Sequence, residues 1–134
     1  MEYRDKKGMH LVFKSRGIEK SLFVSCNYSM EVWRNLTSAL LEVDYTTQWT
    51  QLIPILQVGK FPRIRFFIIR YVFQAVIYHI WCERNGRRHG QQATSVTTIV
   101  RMVDKVVRNR LASIQNMGDS HYNVALQTWF ASRT

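Results

Sequence analysis

The sequence predicts a mainly α fold: a small N-terminal β-hairpin followed by about four or five helices. Three observations carry that prediction. From Ile64 to Arg84 there is no Gly or Pro, and apolar residues dominate. Residues 29–42 and 95–116 repeat apolar side chains at spacings of three and four, the period of a helix face. The β-prone stretches are two short ones near the start, residues 9–14 and 21–26. The 134 residues suit one domain. A chain of that length buries roughly two-thirds of its unfolded surface, enough for a core without disulfides or metal. A content of 46% hydrophobic and 21% charged residues is globular rather than disordered. The length excludes a complete polymerase, kinase or large α/β enzyme.

Residues 1–8 read as a flexible polar start, and 9–134 as the single domain. Met9-His10-Leu11-Val12-Phe13-Lys14 and Ser21-Leu22-Phe23-Val24-Ser25-Cys26 flank a segment that can turn, and a hairpin of this size needs a helix to lean on. Ser29 is read as the N-cap of a helix over 29–42, with Glu31 in its first turn and Val32, Trp33, Leu36 and Leu40 on one stripe. A shorter helix from Thr47 carries Trp49, Leu52, Ile53 and Leu56, and Pro54 strains or ends it.

The stretch from Ile64 to Arg84 is the longest helix and the centre of the core. Its tail, Glu83-Arg84-Asn85-Gly86-Arg87-Arg88-His89-Gly90, places cations at the negative end of the helix dipole and glycines at the stop. Ser95 caps a helix over 95–116, whose seam is Val96, Val100, Val103, Val107, Leu111 and Ile114. Gly118 ends it. A last helix, about 120–131, offers Val124, Ala125, Leu126, Trp129 and Phe130.

Charge is unevenly spread. Residues 1–59 carry seven basic and six acidic groups, whereas 60–110 carry eleven basic groups against Glu83 and Asp104. The formal excess of +10 therefore lies almost wholly on the long helix and its successor. Arg84, Arg87 and Arg88 cluster at one helix end. Arg101, Lys105 and Arg108 share a face at i, i+4 and i+7, beside Arg110. Packed antiparallel, these helices would offer phosphate groups a positive surface. The bland alternative is a solvated face that keeps the domain soluble. The four tryptophans, Trp33, Trp49, Trp81 and Trp129, lie on apolar stripes and are read as core.

Catalytic chemistry has little to stand on. Acids are few and scattered, no Gly-rich phosphate loop occurs, and neither Cys26 nor Cys82 sits in a nucleophile motif. His79, Cys82 and His89 fall short of the four ligands of a closed zinc site. The apolar run from Phe66 to Trp81 is sixteen residues, below the roughly 20 needed to cross a bilayer, and it contains Arg70, Gln74 and His79. A membrane partner is not expected. The polar start and sparse cysteines point to an intracellular protein of the nucleus or cytoplasm.

Two segments resemble a known family. Ser21-Leu22-Phe23-Val24-Ser25-Cys26-Asn27-Tyr28-Ser29-Met30-Glu31-Val32-Trp33 is similar to a His-Leu-Phe-Phe-x-Cys-x-x-Ser-x-x-Val-Trp segment. Ala75-Val76-Ile77-Tyr78-His79-Ile80-Trp81-Cys82-Glu83-Arg84-Asn85-Gly86-Arg87-Arg88-His89 is similar to Ile-Tyr-x-Ile-Trp-x-Glu-Arg-Asn-x-Arg-x-His. The first pattern is that of the reverse-transcriptase zinc-binding domain at the C-terminal end of plant LINE-type (non-LTR) retrotransposon polyproteins, and the second is that of the helix that follows it. The resemblance covers about residues 11–130.

Against that pattern, Leu11 and Lys14 stand where the family has Cys-x-x-Cys, and Ser21 stands where it has His. Cys26 is the sole remaining ligand-like position, so no metal and no cofactor are expected. The resemblance implies a reverse transcriptase-related, non-catalytic remnant, with the hairpin as the residue of the zinc-binding part. The partner expected is RNA or DNA, held weakly and without sequence preference by Arg84, Arg87, Arg88, Arg101, Lys105 and Arg108. The alternative is a helical protein-interaction module that self-associates through helix 95–116, or a remnant without function.

Overall fold

A computed structural model describes residues 27–57, 61–116 and 124–133. The start at 1–8 and the hairpin expected over 9–14 and 21–26, with Leu11, Lys14, Ser21 and Cys26, lie outside the described residues. The described residues are mainly helical. Helix α1 is Asn27–Leu41, followed by a 3₁₀ turn Glu42–Asp44; α2 is Trp49–Gln57, α3 Arg63–Arg88, α4 Val96–Asn116 and α5 Ala125–Arg133.

Helix α3, 26 residues long, is the centre of the core. Its Ile68, Ile69, Val72, Phe73, Val76 and Ile80 are buried, facing Val32, Trp33, Leu36 and Leu40 of α1 and Ile99, Val103, Val107 and Leu111 of α4. The chain direction follows from contacts at the ends. The Tyr28 hydroxyl near the start of α1 donates to the Thr94 carbonyl just before α4, at 2.7 Å. Arg65 at the start of α3 lies 3.9 Å from Glu42, just past the end of α1. Helices α1 and α4 therefore run alike, and α3 runs against both.

Trp33 is fully buried, meets Phe73 edge-on with ring centroids 5.8 Å apart, and donates its indole N–H to the Thr46 carbonyl at 2.9 Å. The large ring thus buries its area while its polar edge is satisfied. Thr46 also orders the next turn, its hydroxyl accepting from the Gln48 N–H and donating to the Gln51 side chain. Thr46, rather than Thr47, prepares the entry to α2. Pro54 does not end that helix, which continues through it to Gln57. Burial of Leu52 and Leu56 on either side of Pro54 offsets the lost backbone bond.

Two expected boundaries move. Ser29 is not a cap: α1 already starts at Asn27, and Ser29 is fully buried inside it. Gly86 does not stop α3, which runs to Arg88. The stop is Gly90, in the left-handed region at φ 87°. There Gly90 N–H donates to the Arg87 carbonyl at 3.1 Å and Gln91 N–H to the Gly86 carbonyl at 2.9 Å. This pair of bonds is a Schellman closure, in which the left-handed residue satisfies two otherwise orphaned carbonyls.

Ser95 does cap α4, accepting from the Thr98 N–H at 3.2 Å. The α4 seam turns inward, with Val103, Val107 and Leu111 fully buried and Ile99 beside them. That seam is consumed within the chain. Self-association through α4 would have to use its outer face, where Met102 is exposed.

Helix α5 docks through Trp129 and Ala125, both fully buried. The Trp129 indole donates to Asp104 Oδ1 of α4 at 2.8 Å, and the Arg133 guanidinium reaches the Asn35 carbonyl of α1. Helix α3 is also long and apolar enough to cross a membrane by length and composition. A core helix passes the same test, and the apolar side of α3 is covered by α1 and α4.

Candidate nucleic-acid interface

The six cations singled out in the sequence fall into two groups, and each group divides by what its members touch. Arg84, Arg87 and Arg88 occupy the last turns of α3. Arg87 is half-exposed, and its Nε lies 2.9 Å from Oε2 of the buried Glu83, one turn earlier. The same oxygen accepts the Thr94 N–H at 3.2 Å. Glu83 therefore pins both its own helix end and the connection to α4, while its Oε1 has no hydrogen-bond partner among the described residues. Arg88 is exposed and Arg84 half-buried, and no acidic side chain pairs with either among the described residues.

Arg101, Lys105 and Arg108 stand on the outer face of α4, opposite the seam. Arg108 is held. Its Nη2 lies 2.8 Å from Asp104 Oδ2, and its guanidinium sits over the Phe130 ring at 5.9 Å. Arg101 and Lys105 are exposed and without an acidic partner among the described residues. Arg110, beside this row, is half-buried. The seven-residue connection from His89 to Ser95 brings the end of α3 beside the beginning of α4. Four cations with no acidic partner among the described residues, Arg84, Arg88, Arg101 and Lys105, thus belong to adjoining helices.

Trp81 departs from the expectation that it is core: it is 39% exposed, and Tyr78, one turn before it, is 51% exposed. Their neighbours Ile77 and Ile80 are buried. The Tyr78 hydroxyl interacts with the half-buried Cys82 thiol, which raises the phenol above its ordinary ionisation range. The Tyr78 ring meets the His79 ring edge-on, 5.5 Å between centroids, and His79 bonds through Nδ1 to the Ala75 carbonyl at 2.8 Å.

The signal for this exposure was present in the sequence. Arg63, Arg70, Gln74 and Arg88 fall seven, four and fourteen residues apart, which traces a polar face on α3. Trp81 lies seven residues after Gln74 and seven before Arg88, on that same face. Among the described residues, no three His, Cys, Asp or Glu side chains come together as a metal site. Comparison of the chain with protein-family models, with curated proteins and with solved structures finds no match in any of the three.

Proposed function

We propose that the chain is a non-catalytic module, descended from the C-terminal region of a non-LTR retroelement polyprotein, that holds RNA or DNA weakly and with little sequence preference. The observation that supports this function is the set of four cations without acidic partners among the described residues, Arg84, Arg88, Arg101 and Lys105, on two adjoining helices. Phosphate neutralisation needs such groups and needs no base-specific geometry. Arg87 and Arg108 contribute less, because each guanidinium already faces a carboxylate at under 3 Å. The retroelement origin is supported by the Ser21–Trp33 and Ala75–His89 likenesses described above.

The test is polynucleotide binding across a salt series. Four phosphate contacts give a log–log slope of about −3 on a single strand. Arg88→Ala, Arg101→Ala and Lys105→Ala should each flatten it by about 0.7, and Arg108→Ala by less. Absence of binding to any RNA or DNA at low salt would overturn the proposal. If the protein then eluted as a nuclease-insensitive dimer, self-association would take its place.

A further inference from the structure

Most of what α3 exposes is explained by solubility, but a pair of large aromatic rings at its surface is not. Trp81 and Tyr78 are the most exposed aromatic residues of α3, and they are neighbours at i and i+3. Trp81 remains 39% and Tyr78 51% exposed, leaving on the order of 100 Å² of each residue in water. They project from the helix that carries the densest positive charge in the chain.

Arg84 and Arg88 follow Trp81 at i+3 and i+7, so they continue the same ridge, and Asn85 is exposed between them. On the other side, Gln74 and Arg70 precede Trp81 by seven and eleven residues. Arg70 lies over the Phe66 ring at 5.4 Å. From Arg70 to Arg88 the ridge spans about 27 Å at the rise of an α-helix.

We propose that this ridge is a stacking platform for single-stranded nucleic acid, with bases lying on Trp81 and Tyr78 and the flanking phosphates on Arg84 and Arg88. This deepens the nucleic-acid function proposed above and rests on it. An aromatic ring gains from a base only where the base face is free, which a duplex denies and a single strand offers. Charge complementarity favours that occupant over a protein helix, since among the described residues no acidic side chain lines the ridge: Glu83 is buried and already bonded to Arg87 and Thr94. The platform is also held firmly. Ile77 and Ile80, between and beside the two rings, are anchored in the core, and the edge-on His79 ring braces Tyr78.

Stacking is sequence-tolerant because every base has a π-face. The platform therefore predicts preference for strandedness, not for sequence. The experiment measures fluorescence anisotropy of a labelled oligothymidylate of about 15 nucleotides and of its duplex with oligoadenylate, at matched salt. Intrinsic tryptophan emission is read in parallel. The full chain should bind the single strand at least about tenfold tighter than the duplex, with quenched emission.

Trp81→Ala should lose about tenfold on the single strand and little on the duplex. Trp81→Phe, which retains a ring, should keep most of the affinity and lose most of the quenching. Far-UV circular dichroism establishes that each variant folds, and Tyr78→Ala supplies an independent ring deletion. Equal affinity for both forms, with Trp81→Ala and Tyr78→Ala neutral while the arginine substitutions still flatten the salt slope, overturns the platform and leaves the phosphate-binding function standing. Loss of all polynucleotide binding overturns both.

Discussion

Replacing Arg87 with Ala should destabilise the chain more than replacing its partner Glu83. Two interactions converge on Glu83 Oε2: the Arg87 guanidinium at 2.9 Å and the Thr94 N–H at 3.2 Å. The Glu83 side chain is only 3% exposed and that of Arg87 is 49% exposed. Removing Arg87 leaves a buried carboxylate with one backbone donor. A fully buried pair broken this way costs about 3–5 kcal/mol. Solvent already screens half of the guanidinium, so about 2 kcal/mol is expected.

Glu83→Ala removes the charge with its desolvation cost and with the unbonded Oε1. What remains is a Thr94 N–H without its acceptor, worth about 1 kcal/mol. The double variant should resemble Glu83→Ala alone, giving a coupling near the Arg87→Ala cost. Urea unfolding followed by far-UV circular dichroism measures all three. An Arg87→Ala loss below about 0.5 kcal/mol, or simple additivity in the double variant, would refute the pairing and the role assigned to Glu83.

Two further outcomes concern the scaffold. Asp104→Ala removes the acceptor of the Trp129 indole together with the partner of Arg108, and should cost about 2 kcal/mol in urea unfolding, with a red shift of tryptophan emission as α5 loosens; Asp104→Asn, which keeps a carbonyl for the indole, should recover about half. Gly90→Ala meets no atom within 4 Å of the new Cβ, so its expected loss of about 1 kcal/mol is purely conformational, and an unchanged urea midpoint would contradict the left-handed stop at φ 87°.

The helices were legible in the sequence where periodicity is long and unbroken. The Ser95 cap and the α4 seam from Val103 to Ile114 stand where the hydroxyl and the three-four spacing place them, while at the helix start Ile99 is buried and Val96 and Val100 only partly so. The core role of α3 followed from its composition. Boundaries were less legible, because a cap depends on tertiary partners as much as on residue type. Ser29 has the right hydroxyl but lies on the core side of a helix that begins earlier. Gly86 is adjacent to the stop, yet the left-handed conformation belongs to Gly90, four residues on.

Pro54 does not end its helix because two buried leucines hold the short helix across the missing bond. At the interface, the residue types were legible, and so was the reach of two carboxylates: Glu83 and Arg87, like Asp104 and Arg108, stand at i and i+4. Arg88, five residues after Glu83, lies outside that reach; what spacing does not show is that Glu83 is buried and also takes the Thr94 N–H. Trp81 was placed in the core because hydrophobic character was weighed ahead of the polar period around it.

Glu83 and Arg87 frame the run Glu-Arg-Asn-Gly-Arg, so a recognisable string of letters is here a clasp between a helix end and the loop that leaves it. Losing it would loosen the packing of α3 against α4. A change at either end of the run would therefore be read first as lost stability. Arg84 and Arg88, which take no part in the clasp, could change without that cost.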